Sequence, residues 1–96
     1  MKLRILPSAL TDLTSGKSFY ARLDPGLGEY FLNSLFSDID SLAHHAGSHR
    51  KVFGYHRLLS KRFPFAVYYT KEGDVCVVWR VLDCRQNPVK TIRALK

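Results

Sequence analysis

The clearest chemical signal in the chain is a set of cations, Arg57, Lys61, Arg62, Arg80 and Arg85. Guanidinium and ammonium groups of this kind neutralise charge that develops in phosphoryl transfer. They also make the phosphate contacts of nucleic-acid binders. As a binding set, these five residues suit an acidic target. Were the chain to cut RNA, the groups available would be His56, Arg57, Asp83 and Arg85, with His56 or Asp83 carrying the proton. Tyr55, Tyr68, Tyr69 and Trp79 lie among the cations, where aromatic rings can stack on bases. The competing use for Tyr69 and Trp79 is packing under helices. For the arginines it is ion pairing, with Asp83 or with the acids of the second helix.

His44, His45 and His49 form a second cluster, with His56 beyond it. A spacing of four would place His45 and His49 on one helical face, as a metal requires. Gly47 interrupts that helix, however, and no carboxylate or cysteine adjoins. The reading is a polar helix end, with no metal and no cofactor. Cys84 beside Arg85 has no histidine placed to activate it as a nucleophile. Cys76 and Cys84 lie along one strand pattern. At ~3.3 Å per residue they would stand ~26 Å apart, and a disulfide needs Cα atoms within ~7 Å. No Gly-rich phosphate loop, GxSxG or HExxH occurs.

The charge divides unevenly. Residues 1–48 hold four bases against five acids, net −1, and residues 49–96 hold eleven against three, net +8. The second half therefore expects an acidic partner, either nucleic acid or an acidic protein. The 96 residues are 46% apolar and 24% charged, which fits one domain over 1–96 and argues against disorder. A chain of this length buries ~60–65% of its unfolded surface. No apolar run approaches the ~18 residues of a membrane span. Met1–Leu6 is short for a signal peptide and Pro7 ends it, so a soluble cytoplasmic protein is expected.

These groups must be positioned by elements that the pattern also predicts. Leu3 and Ile5 make a first strand, which Pro7 stops. Ser8 is placed to cap a helix, with Asp12 in its first turn. Ala9, Leu10, Leu13, Phe19, Tyr20 and Leu23 recur at helical spacing, and Gly16 is a point where that helix could bend. Asp24-Pro25 starts a second helix. Its stripe is Phe31, Leu32, Leu35, Phe36, Ile39, Leu42 and Ala43, with Asn33, Ser37, Asp38, Asp40 and Ser41 toward water. It fades over His44–Ser48, and the two helices pair as a hairpin. A loosely alternating strand covers Lys51–Ser60, and Phe65–Thr70 is a second. After a turn at Lys71–Asp74, Val75–Leu82 reads as a central strand buried on both faces. Asn87-Pro88 opens a short last helix through Val89, Ile92 and Leu95. The order is β-α-α-β-β-β plus that helix. This is an α+β fold, a helix hairpin packed on a small, mainly antiparallel sheet.

Certain segments resemble a known family. Ser8-Ala9 with Asp12-Leu13 is similar to the opening of the first helix in the RelE/ParE toxin superfamily. Tyr55–Leu59, then Arg62-Phe63-Pro64-Phe65-Ala66-Val67-Tyr68-Tyr69, resembles the ParE pattern of an arginine strand followed by FPY-x-hydrophobic-Y-Y. Val77–Leu82 with Asp83-Cys84-Arg85-Gln86-Asn87-Pro88 resembles its ending. The resemblance implies the toxin of a type II toxin–antitoxin pair, with a cognate antitoxin as partner. Two mechanisms occur in the superfamily: RelE-like members cut mRNA on the ribosome, and ParE-like members poison DNA gyrase and block replication. RelE-like enzymes carry arginine where this chain has Phe65, and a tyrosine or histidine where Pro88–Lys96 has neither. Asp83 and Gln86 stand where ParE relatives usually have histidine and a second arginine. The resemblance therefore implies a ParE-like binding toxin directed at gyrase, with ribosomal mRNA cleavage and plain nucleic-acid binding as the alternatives.

Overall fold

The computed structural model describes all residues, 1–96. The elements run β1 (Lys2–Ile5), α1 (Pro7–Leu23), α2 (Pro25–Asp40), α3 (Leu42–His45), β2 (Lys51–Val52), β3 (Tyr55–Leu59), β4 (Phe65–Glu72), β5 (Val75–Asp83) and α4 (Pro88–Ala94). The sheet order is β1-β5-β4-β3-β2, with β1 parallel to β5 and every other pair antiparallel. The expected α+β architecture is therefore present, with β4 rather than β5 at the centre. The Lys51–Ser60 segment is two short strands, because Phe53 and Gly54 turn the chain with φ of 56° and 85°.

The α1–α2 hairpin packs on one face of the sheet. Asp24 caps α2 by accepting from the Gly26 N–H, ahead of Pro25. Helix α1 buries Ala9, Leu13, Gly16 and Tyr20, and α2 buries Phe31, Leu35 and Ile39. These meet Phe65, Val67, Tyr69, Cys76, Val78 and Val81 of the sheet in one core. Leu10, Phe19 and Leu23 shared the helical pattern but stay exposed, Leu23 at 68%. Ser8 does not cap α1. The N-cap is Leu6, with Pro7 in the first turn, and the Ser8 hydroxyl donates to the Trp79 carbonyl instead. Asp38 is buried rather than solvated, and accepts from the Ser60 hydroxyl at 2.7 Å, tying α2 to the end of β3.

Helix α1 runs unbroken through Gly16, because the Phe31 ring lies where a side chain would stand, 2.5 Å from an added Cβ. Gly28 makes the reciprocal approach: a Cβ there would meet the Ala21 Cβ at 2.8 Å and the Lys17 carbonyl at 2.9 Å. Glycine at these two positions sets the spacing between the helices.

A bulge sets the register of β5. Tyr68 opposes Arg80 and Tyr69 opposes Val78, so Trp79 is the unpaired extra residue. Val78 and Val81 consequently both face the helix hairpin, while Arg80 and Leu82 face away. Trp79 therefore does not pack under the helices. It stands against Tyr55 on the opposite face and donates from Nε1 to the Thr70 hydroxyl. That second face carries a smaller cluster of Ala66, Tyr68, Leu82 and Leu95, closed by α4.

Gly28→Ala is expected to cost about 1–3 kcal/mol in urea unfolding, because its methyl meets backbone that cannot yield. Gly26→Ala, whose added Cβ meets only the Asp24 carboxylate at 3.4 Å, is expected to be near neutral.

Candidate functional site

Three of the five candidate cations are free and two are bound. Strand β5 is covered by β1 only from Val75 to Val78. Beyond that point the strand's outer edge needs other partners. Asp12 Oδ2 accepts from the Val81 N–H at 2.9 Å and from Arg80 Nε at 2.7 Å, while Oδ1 accepts from Arg80 Nη2 at 2.8 Å. Arg80 also donates to the Ala94 carbonyl at the end of α4. The arginine that looked free for a target is thus a strut between α1, β5 and α4. Its partner is on the first helix, not the second. The carboxylate raises the already high Arg80 pKa, so this group stays charged.

Arg85 closes a fork on Asp83, donating from Nε to Oδ1 at 2.9 Å and from Nη2 to Oδ2 at 2.7 Å, as the ion-pair reading anticipated. The Arg85 guanidinium holds the Asp83 carboxyl below its usual range, and Asp83 also accepts from the Arg85 N–H. Asp83 is an anchor for the turn rather than a free acid. Arg57, Lys61 and Arg62 take part in no ion pair. Lys61 and Arg62 are exposed in the loop between β3 and β4. Arg57 lies on the sheet face turned away from the helix hairpin, opposite Tyr68.

The structure does not assemble the ribonuclease set. His56 lies on the helix side, its ring stacked on Tyr69 at 5.1 Å. Arg57, the next residue, points to the other face by strand alternation. Asp83 and Arg85 are occupied with each other.

The remaining histidines are also separated. His44 and His45 are exposed at the end of α3. His49 instead reaches the hydroxyl of the fully buried Tyr69, which also accepts from the Gly47 N–H at 3.0 Å. His56 Nδ1 donates to the His49 carbonyl at 2.6 Å. These bonds fasten residues 47–49 to the sheet. Burial lowers the His49 pKa, assisted by the nearby His56 and His45 charges. Burial raises the Tyr69 pKa. Both thiols are free, with Cys76 buried and Cys84 exposed. Burial pushes Cys76 up to about 11. Desolvation also raises Cys84, against the pull of Arg57 and Arg85.

An apolar patch adjoins the free cations. Phe63 of the β3–β4 loop packs against Tyr20, Tyr30 and Phe31 at 4.9–5.5 Å. Phe19 and Tyr30 are half exposed beside it. Phe19, Phe65, Arg80, Asp83 and Gln86 line a groove of about 300 Å³ between α1, the end of β5 and α4. Sequence periodicity assigned Phe19 to the core, so it missed this wall. The signal for Asp12, a carboxylate four residues after Ser8 on the face toward the sheet, was equally indistinct.

Two measurements test these assignments. Asp12→Ala is expected to destabilise the fold by about 2–4 kcal/mol, leaving both Arg80 and the Val81 N–H unpaired. A double-mutant cycle with Arg80→Ala should return a coupling above 1 kcal/mol, roughly, by urea unfolding. His49 titrates lower in the folded state than at its ordinary value of 6.5, so the unfolded chain binds the proton first. Its contribution is complete above that value and declines as pH falls through it. The stability difference between the native chain and His49→Gln should therefore shrink from pH 7.5 to pH 5.5, measured by urea unfolding at each pH.

No helix is long and apolar enough to cross a membrane. No curated protein matches the chain in sequence. Among solved structures, a chain of the chromosomal ParDE TA system from P. aeruginosa superposes with a TM-score of 0.76 at 21% identity, covering 84% of this chain and 92% of that one. This likeness is one of fold. The family model described as the ParE toxin of the type II toxin–antitoxin system, parDE, matches residues 3–88. With nearly the whole chain inside that match, from the first strand to the start of α4, the protein belongs to the ParE toxin family.

Proposed function

We propose that this chain is a toxin that inhibits DNA gyrase, blocks replication, and is held inactive by a cognate antitoxin. The observation that carries the reading is the family match over residues 3–88. The geometry supports binding over catalysis, since His56, Arg57, Asp83 and Arg85 do not converge on one point. The target surface would include the free cations Arg57, Lys61 and Arg62, with Arg80 and Arg85 behind them as fixed supports. Gyrase and its DNA are both acidic, which suits a half-chain of net charge +8. Gyrase also places the site of action in the cytoplasm.

The antitoxin segment would be acidic and apolar, seated on Phe19, Leu23 and Tyr30 with the neighbouring cations around it. Such a segment would fold as it binds. It would cover apolar surface that is otherwise exposed.

The test is purified chain added to gyrase with plasmid and ATP. Expected is linear, cleaved DNA or lost supercoiling at stoichiometric toxin. The double charge reversal Lys61→Glu with Arg62→Glu should raise the amount required at least tenfold, while circular dichroism remains native. Absence of any effect at large excess would reject gyrase as the target. Cleavage of ribosome-bound mRNA in a parallel reaction would move the chain to the RelE-like class.

A further inference from the structure

The sheet face turned away from the helix hairpin holds a second, smaller cleft of about 130 Å³. Arg57 and Tyr68 reach it from opposed positions on β3 and β4. Cys84 and Gln86 come from the turn after β5, and Thr91 from α4. Arg57 is the one charged residue lining the cleft, and no carboxylate lines it.

None of these side chains is committed elsewhere. Arg57 forms no ion pair, unlike Arg80 and Arg85. Tyr68 and Thr91 are more than nine-tenths buried, and their hydroxyls make no hydrogen bond within the chain. No buried polar side-chain atom lacks both a hydrogen bond and contact with solvent, and both residues line the cleft. A cation and two uncommitted buried hydroxyls around a small cavity form an oxyanion site.

A separate observation concerns the rim. Phe53 also lines the cleft, at the Phe53-Gly54 turn. Its φ of 56° lies in the left-handed region, which bulky side chains occupy at a cost. Asparagine or glycine is the usual occupant of such a turn. Yet the ring is half exposed and belongs to neither core cluster. The chain holds a strained aromatic at the mouth of an anion cleft, and packing does not account for it.

We propose that this cleft binds the phosphate of a nucleotide unit, with Arg57 as its counter-charge, and that Phe53 is the platform on which the attached base stacks. The cavity takes the phosphate, and the base lies outside against the ring. The reading does not rest on gyrase inhibition, although Arg57 belongs to both surfaces. The nucleotide unit can come from a free nucleotide or from a single strand.

The experiment titrates the purified full chain at fixed ionic strength with inorganic phosphate, thymidine 5′-monophosphate and a short oligothymidylate. Affinity is followed by isothermal titration calorimetry, and the place of binding by the arginine Nε–Hε signals in NMR. Expected is a saturable shift of the Arg57 signal with all three, tighter for the two that carry a base. Arg57→Gln should weaken each at least tenfold. Phe53→Asn, which suits the turn, should weaken the nucleotide and oligonucleotide several-fold and leave inorganic phosphate unchanged. Arg22→Gln, an exposed cation of α1, should change nothing. Preference for the oligonucleotide over the mononucleotide would identify a strand as the source, and equal affinity a free nucleotide. An unmoved Arg57 signal, or equal losses in Arg57→Gln and Arg22→Gln, would overturn the site. Equal weakening of phosphate and nucleotide by Phe53→Asn would overturn the role of the ring.

Discussion

The fold depends on how the bare edge of β5 is satisfied. Strand β1 stops at Ile5, and the next residue gives its N–H to the Val78 carbonyl. From there the chain turns into α1, and the edge groups of β5 lose their strand partner. Two α1 side chains replace it, Ser8 on the Trp79 carbonyl and Asp12 on the Val81 N–H. A buried backbone donor left unpaired costs about as much as a lost hydrogen bond with its desolvation, so Asp12, which serves the N–H of the buried Val81, is as structural as any leucine. The Asp12 side chain is only 12% exposed, and that position requires a counter-charge, which Arg80 supplies. Arg80 then holds the last turn of α4 through the Ala94 carbonyl. One carboxylate thus fixes strand edge, first helix and last helix together. Its contribution lies more in fixing that arrangement than in net free energy, since a largely buried pair loses most of its attraction to desolvation.

The two faces of the sheet have different characters as a result. The helix face is an apolar core built around Phe31, Tyr69 and the valines. The other face is thinner, with one short helix and a small cluster around Tyr68 and Leu82. Cations that serve the framework are neutralised by specific acids, and cations without acids are at the surface. The most buried of these pairs, Arg80 with Asp12, places an acid where positive charge is withdrawn from water. The division also separates residues by role that look alike in the sequence. Arg80 and Arg57 are both strand arginines, yet one supports the framework and the other opens onto a cleft.

Much of the architecture was legible because its signals are local. Asp24-Pro25 and Asn87-Pro88 each cap a helix by a side chain accepting two residues on, and the period-two run of β4 needed no tertiary context. The errors arise from interactions over long sequence distances. Trp79 reads as core only if β5 alternates without interruption, and the bulge against Tyr68 and Tyr69 reverses that parity. Asp38 reads as solvated until Ser60, distant in the chain, is placed beside it. Lys51–Ser60 reads as one strand because Phe53 gives no turn signal of its own. At the site, the pairing of Arg85 with Asp83 was visible in their adjacency. The pairing of Arg80 with Asp12 was not, since β5 and α1 meet only in the folded molecule.

The two thiols give the folded chain a built-in clock. Cys84 lies in the turn after β5 and meets solvent, while Cys76 is fully buried within β5, paired to β1 on one side and β4 on the other. Cys76 has no route to a thiol reagent except an opening of the core, by the helix hairpin lifting from the sheet or β5 parting from a neighbour. Its modification therefore counts openings of the core that the hairpin and β5 enclose. Cys84, modified first, marks the start of each record. The lag between them measures how often the core between hairpin and sheet opens to solvent.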